Sequence, residues 1–575
     1  MSTAECDRIG SQRREDLTSV APFVYNEPYT VQKERGKAAW EGLRMKILAA
    51  DGISPEGIKL LAEYDVDVRD KIAHEELVEI IGDYDALMVR SASKVSADVL
   101  ERAEQLKIIG RAGVGVDNID VKAATERGII VINSPGGNTI AATEHTMAMM
   151  LSLARNIPAA DATMHAGEWN RKAYVGVELR GKTLGVIGMG RIGSGVAKRA
   201  LAFDMNIVAY DPYINEERAK ALGVTIGTLD DIFKEADFIT VHMPLTKETR
   251  GMIAMNEMRK MKQGVRLVNC ARGGIINERD LAAAIQEGIV AGAAIDVFES
   301  EPLAAESPLR NVPGIVLTPH LGASTVEAQI GVSVDVAEGI RAALRGEPVT
   351  AAVNMAPVSK DVMRVIRPYI TLAEQLGCTV CSLAEGPISH VEVVYNGEIT
   401  EVNTSFLTTA ILKGMLNPIL ESEINYVNAP SVAKSRGIKV TEIKEKETSH
   451  FSTLITVRVT TAAGTAEAGT AEVQGALFGT EGRIVRINGF RVDIDPHARL
   501  LICPHINRPG VIGTVGSIMG EAGINISSMQ VGKSDREGMS IMALTIDHDI
   551  PDDTLARVLA VDGIFDAKLV NFETI

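Results

Sequence analysis

The sequence predicts an α/β protein built on two doubly wound parallel sheets, followed by an α+β segment and a small βαββαβ unit. Three observations carry that expectation. From Lys46 to Arg345 short apolar runs alternate with helical periodicity, the pattern of strands joined by helical crossovers. One apolar run passes directly into the glycine-rich turn Gly188-Met-Gly190-Arg-Ile-Gly193. The C-terminal residues read strand, helix, strand, strand, helix, strand.

In the first unit residues 46–50, 86–90, 108–110 and 129–133 read as strands, separated by helices such as 55–63, 75–81 and 97–103. The loop Ser134-Pro-Gly-Gly-Asn138 and an apolar helix at 143–155 lead into the second unit, with strands expected at 184–188, 207–211, 238–242, 266–270, 293–298 and 315–318. A long helix over 325–345 follows, closed by Gly346 and stopped by Pro348. Past Val353 two helices precede strands at 391–395 and 454–460 and one strand-like stretch at 483–494; the tandem AGTAE at 463–467 and 468–472 reads as a duplication at a hairpin tip. The last unit places strands at 500–506, 524–531, 540–547 and 565–572 and helices at 511–521 and 552–561, the ferredoxin-like order.

Composition narrows the function classes. The 575 residues predict three to five domains at roughly 100 to 200 residues each. With 59 basic against 75 acidic residues, net −16, neither nucleic acid nor an anionic membrane is expected as the main partner. No apolar run reaches the length of a membrane span; Met147 to Ala154 is among the longest. Cys6, Cys270, Cys378, Cys381 and Cys503 are too scattered for a disulfide framework, which points to a reducing compartment. Cys378-Thr-Val-Cys381 lacks the second pair that a zinc site needs and reads as helix packing; no metal is expected. Residues 1–45 hold seven basic and seven acidic residues without an apolar signal core, so a poorly ordered extension and a cytoplasmic location are expected, or an organelle if the extension is a targeting segment.

The chemistry gathers at the ends of the predicted strands of the second, Rossmann-like unit. Gly188 permits the tight turn, Gly190 lets backbone approach a pyrophosphate, Gly193 lets helix pack on strand, and the helix N-terminus offers unpaired N–H groups to the anion. Asp211 closes the next apolar run, where it would bind ribose hydroxyls and repel a 2′-phosphate, so NAD is expected over NADP. Later runs end in Arg272, in Asp296 with Glu301 beyond it, and in His320. A His to take a hydroxyl proton, an acid to orient it and an Arg to hold a carboxylate are what oxidation of a hydroxy acid beside a nicotinamide requires. His242 also ends a run, and a structural role beside the nucleotide suits it.

The motifs GRAGVGVDNID, VIGMGRIG, VNCARGGIINE, AIDVFESEPL and TPHLGAST resemble the D-isomer-specific 2-hydroxyacid dehydrogenase family over residues 46–352. The resemblance implies a substrate-binding domain at 46–137 and 323–352, an NAD-binding domain at 138–322, an intervening domain at 353–495 and an ACT regulatory domain at 496–575. Arg272, Glu301 and His320 match its catalytic positions, and Arg191, Ile192, Asp211, Cys270, Ala271, Asp296, Gly322 and Ala323 its cofactor contacts, alongside Gly188, Gly190, Gly193, Arg272 and His320. Val114 stands where relatives carry Thr, leaving only a backbone contact, and Asn277 stands where they carry Asp. Arg90, Ser91, Arg111 and Gly113 match substrate positions, and Arg171 one that reaches in from a neighbouring subunit of a homodimer or homotetramer. The implied substrate is a small phosphorylated hydroxy acid, 3-phosphoglycerate. His505, Asn507 and Asn525 in the ACT-like segment match a site for L-serine as effector, formed between two such domains. Arg483, Arg486 and Arg491 offer either a second anion site or a solvated basic face. A glyoxylate or hydroxypyruvate reductase, or an NAD-sensing regulator on the same fold, are the alternatives.

Overall fold

The computed structural model describes residues 45–347, 349, 351–420, 424–447, 451–462, 469–533 and 538–574. The N-terminal extension, Pro348 and the first AGTAE copy lie outside them. The first sheet holds β1 (Lys46–Ala50), β2 (Asp65–Arg69), β3 (Ala86–Val89), β4 (Ile108–Arg111) and β5 (Ile130–Asn133), all parallel, in the order β2-β1-β3-β4-β5. Sequence reading missed β2: its alternating DVDVR lies at the sheet edge, where only partial burial is needed and no continuous apolar run marks it.

The second sheet holds β6 (Thr183–Ile187), β7 (Asn206–Tyr210), β8 (Thr225–Ile226), β9 (Phe238–Val241), β10 (Val265–Asn269), β11 (Val290–Ile295) and β12 (Ile315–Leu317). All pairings are parallel, and the order β12-β11-β10-β9-β6-β7-β8 reverses direction between β6 and β9. A crevice forms at such a switch point, beyond the carboxyl ends of the strands. The central strands are buried on both faces and therefore read as unbroken apolar runs; β9 and β3 have no exposed residue.

The helix Val326–Leu344, capped by the Thr325 hydroxyl accepting the Ala328 N–H, crosses back to the first sheet. It can lie flush on β4 because Gly110 has no side chain: a Cβ there would come within 2.3 Å of Val336. Ala352 then bridges Ile132, and Asn354 pins Val131, Thr125 and Ile129, so the chain leaves along β5.

The third sheet joins β13 (Ile388–Gly397), β14 (Lys439–Glu445), β15 (Thr453–Thr461), β16 (Thr470–Phe478), β17 (Glu481–Ile487) and β18 (Phe490–Ile494) in the order β14-β13-β15-β16-β17-β18. The stretch read as one strand at 483–494 is a hairpin. Asn488 and Gly489 both have positive φ, 46° and 86°, the tight turn that an Asn-Gly pair favours. The fourth sheet, β19 (Arg499–Ile506), β20 (Ile526–Lys533), β21 (Met539–Ile546) and β22 (Lys568–Asn571), runs antiparallel in the order β20-β21-β19-β22. Period two divides β19: Leu501 and Cys503 pack with Val515 and Met519 of the helix Val511–Glu521. Leu500 and Ile502 instead join the core around the helix Lys360–Leu383, so the third and fourth sheets share one apolar interior. Cys378 and Cys381 lie on that helix, where burial pushes their thiols up to about 12 and about 11.

Candidate active site

The glycine-rich turn comes first. Gly188 has φ +99°, a Cβ on Gly193 would stand 1.9 Å from the Gly188 carbonyl oxygen, and a Cβ on Gly190 would meet nothing within 4 Å. Two glycines are thus required by the backbone itself, whereas Gly190 faces open space at the start of the helix Arg191–Ala202, the cradle a pyrophosphate needs. Asp211 Oδ2 accepts the Met189 N–H at 2.7 Å and Oδ1 the Tyr213 N–H at 2.8 Å, tying the end of β7 to the glycine turn. These residues fit NAD. His242 is half-buried with Nε2 3.0 Å from Thr240 Oγ1, and desolvation pulls its imidazole down to about 4.

Beyond β10, Asn269 shapes the turn that presents Arg272. Its side chain accepts the Ala271 N–H at 3.0 Å and donates to the Arg272 carbonyl at 2.9 Å. Gly273 then lets this turn lie against the 298–299 backbone, where a Cβ would come within 1.9 Å of the Phe298 carbonyl oxygen. That second loop carries Glu301, whose Oε1 accepts the Phe298 N–H at 3.1 Å and whose Oε2 lies 2.7 Å from His320 Nδ1. Burial pushes the Glu301 carboxyl up, but the bonds from His320 and Phe298 outweigh it and hold the group below its ordinary value. A carboxylate on Nδ1 fixes the tautomer and leaves Nε2 of His320 as the proton acceptor.

His320 itself has φ +56°, a left-handed backbone uncommon for a residue with a side chain. The turn is pinned by buried Asp296, which accepts from Thr318 Oγ1 at 2.6 Å, Leu321 N at 2.7 Å and Gly322 N at 2.9 Å, while its carbonyl takes the His320 N–H at 2.9 Å. His145 Nε2 lies 3.2 Å from Asp296 Oδ1. Ala323 continues the turn, and buried Cys270 borders it, its thiol pushed up to about 12 by burial.

Across the crevice, the first sheet contributes the basic residues. Asp51 holds the loop after β3 by accepting the N–H groups of Arg90 and Ser93, and Asn118 donates to the Arg90 and Ser93 carbonyls. Arg111 ends β4 with its guanidinium folded over Gly113, where a Cβ would overlap it at 1.4 Å. Its Nε is buried without a hydrogen-bond partner. Burial, with the neighbouring charge of Arg272, pulls this guanidinium down to about 10. A guanidinium with one buried nitrogen left without a partner can receive an anion. Val114 offers its carbonyl to Asn133 Nδ2 at 2.5 Å.

Not every sequence-singled residue joins this site. Arg171 is exposed in a turn following the helix Ile157–His165. Asn277 caps the helix Glu278–Gln286 by accepting the Asp280 N–H. His505 is buried, pairs in register with Ser540 and leaves Nε2 unpartnered. Asn525, bonded to Asp547, lies at the opposite end of the β20–β21 pair, so one chain does not bring the trio together. Arg483 is engaged by Glu481 at 3.1 Å, whereas Arg486 and Arg491 stand opposite each other across β17 and β18. Asn269, Asp51, Asn118 and His145 escaped sequence reading because each acts on backbone or on another side chain, contacts that no spacing encodes.

The glycine cradle, the strand-end His, acid and Arg, and the doubly wound sheet define an NAD-dependent oxidoreductase of the 2-hydroxyacid type. The model of the D-isomer specific 2-hydroxyacid dehydrogenase NAD binding domain matches residues 147–322, and models of the D-3-phosphoglycerate dehydrogenase intervening domain and the ACT domain match 365–488 and 500–563. The D-3-phosphoglycerate dehydrogenase of Synechocystis is 46% identical over 91% of this chain and 94% of its own, and that of Methanocaldococcus jannaschii 45% identical over 92% and 100%. The crystal structure of a glyoxylate reductase from Paecilomyes thermophila superposes with a TM-score of 0.51 at 31% identity, covering 54% of this chain and 98% of that one. The chain belongs to the D-3-phosphoglycerate dehydrogenase family.

Proposed function

We propose that the protein oxidises 3-phospho-D-glycerate to 3-phosphohydroxypyruvate, the entry to the phosphorylated route to L-serine. The observation that carries this reading is the meeting of His320, Glu301 and Arg272 at one sheet edge with Arg111, whose buried Nε lacks a partner, beside them. Bound NAD supplies the hydride acceptor. The residues for it are Gly188, Gly190, Arg191, Ile192, Gly193, Asp211, Cys270, Ala271, Arg272, Asp296, His320, Gly322 and Ala323. His320 takes the C2 hydroxyl proton on Nε2 while the C2–H bond breaks, and Glu301 stabilises the imidazolium that forms. Arg272 binds the C1 carboxylate and polarises the carbonyl oxygen developing at C2. Arg90, Ser91, Arg111 and Gly113 receive the phosphate end, with Arg171 of a second chain.

NADH formation from 3-phosphoglycerate tests the reading; activity confined to glyoxylate or hydroxypyruvate would assign the site to another hydroxy acid. Asp211→Asn should raise the use of NADP relative to NAD by about tenfold in kcat/KM, the scale of one charge interaction. An unchanged ratio would leave Asp211 only its bonds to Met189 and Tyr213.

An exposed apolar surface supports a homodimer or homotetramer. The helix Ile157–His165 buries none of its residues, and Ile157, Met164, Trp169 and Val175 are half or more exposed. Large apolar side chains exposed along one segment suit an interface, and a light-scattering mass of one chain would exclude it. His505, Asn507 and Asn525 then meet between two ACT domains, where L-serine acts as effector; turnover indifferent to serine would remove that role. No described helix is long and apolar enough to cross a membrane, and the four described cysteines, all unpaired, suit a reducing cytoplasm.

A further inference from the structure

The crevice holds a carboxylate that hydride transfer does not require. Asp117, in the loop after β4, accepts from Arg272 Nε at 3.0 Å, joining residues 155 positions apart that belong to the two different sheets. Arg272 spends NH1 on its own Ala271 carbonyl at 2.7 Å. Its NH2 lies against Gly115, where a Cβ would come within 1.8 Å. The Arg272 guanidinium is therefore laid along the 113–118 loop with Asp117 at its Nε edge.

The surrounding charges give this contact a purpose. Arg111 is crowded by Arg272 and Arg90 and relieved by Asp117 and Asp51. Asp51 is committed to the backbone of Arg90 and Ser93 and to the Ser93 hydroxyl. Asp117 is not held in that way: its side chain is 69% exposed, and Arg272 is its one ion-pair partner among the described residues. An exposed carboxylate on a single partner can swing into solvent at small cost.

We propose that Asp117 is an internal counter-ion that occupies Arg272 while the crevice is empty and yields it to the carboxylate of the entering substrate. This rests on the reading of Arg272 as the substrate's carboxylate-binding group. A contact made only in the empty state lowers apparent affinity by the factor it contributes, because the ligand must displace it. Asp117 thus sets how tightly anions bind.

The test uses the full chain with saturating NAD, reading KM for 3-phosphoglycerate and the inhibition constant of oxalate, a small carboxylate, at low and high ionic strength. Asp117→Asn and Asp117→Ala should lower both constants about 3- to 5-fold at low salt, with the gap closing at high salt, and Asp117→Glu should keep wild-type values. A misfolding variant loses affinity, so a gain is a readout that structural damage does not produce. Unchanged or raised constants in both neutral variants, with wild-type NAD binding, would overturn the proposal. If the wild-type chain forms no NADH from 3-phosphoglycerate, the substrate reading fails. The oxalate-induced shift of Tm, compared between wild type and Asp117→Asn, then still decides the counter-ion: a larger shift in the variant supports it and an equal or smaller one refutes it.

Discussion

His320→Ala is expected to cut turnover with 3-phosphoglycerate by about 10²- to 10⁴-fold, the usual contribution of a positioned general base. The effect should fall on kcat. NAD affinity, measured by protein-fluorescence or calorimetric titration, should change little, because the glycine cradle and Asp211 lie on β6 and β7 whereas His320 follows β12 at the far side of the sheet order. Glu301→Gln should follow with a smaller loss: it keeps a group beside Nδ1 but removes the charge that favours the imidazolium at 2.7 Å. Near-wild-type turnover of His320→Ala would move the base elsewhere, and no other imidazole among the described residues pairs with a carboxylate at this edge except His145, which is occupied by Asp296.

Arg272→Lys is expected to lower kcat/KM by about 10²- to 10³-fold despite keeping the charge, since a developing oxyanion and a carboxylate are matched by the guanidinium fork and not by a point ammonium. The local architecture leaves no room for adjustment. Asn269 fixes the turn through the Arg272 carbonyl, Gly273 presses it against Phe298, and the fork is laid along Gly115. A lysine would place one rotating ammonium where three nitrogens are now directed. Steady-state kinetics with and without added alkylguanidinium read this: a loss confined to KM would reduce Arg272 to an electrostatic attractant, and a loss in kcat carries the polarising role.

Much of the site was legible because a doubly wound sheet forces chemistry to the carboxyl ends of its strands. Residues ending apolar runs, Arg272, Asp296 and His320, could therefore be gathered without coordinates, and Gly188 and Gly193 announced a turn that admits no Cβ. Other features had no such signature. The edge strand β2 lacks the apolar run that burial imposes on central strands. The hairpin at Asn488-Gly489 was masked by apolar residues on both sides of it. The family resemblance implied Asp296 as a cofactor contact, yet its backbone bonds to Leu321 and Gly322 belong to the left-handed turn of His320, which no spacing records.

The sequence by itself determined the order of units, the glycine-rich turn and the candidate acid, base and cation, since these follow from short-range patterns of burial and turn chemistry. Only the tertiary structure decided which charges meet. Asp117 with Arg272, the unpartnered Nε of Arg111, and the separation of His505 from Asn525 within one chain all depend on contacts between elements far apart in sequence. Such contacts are fixed by how sheets and helices pack, and local periodicity carries no information about them.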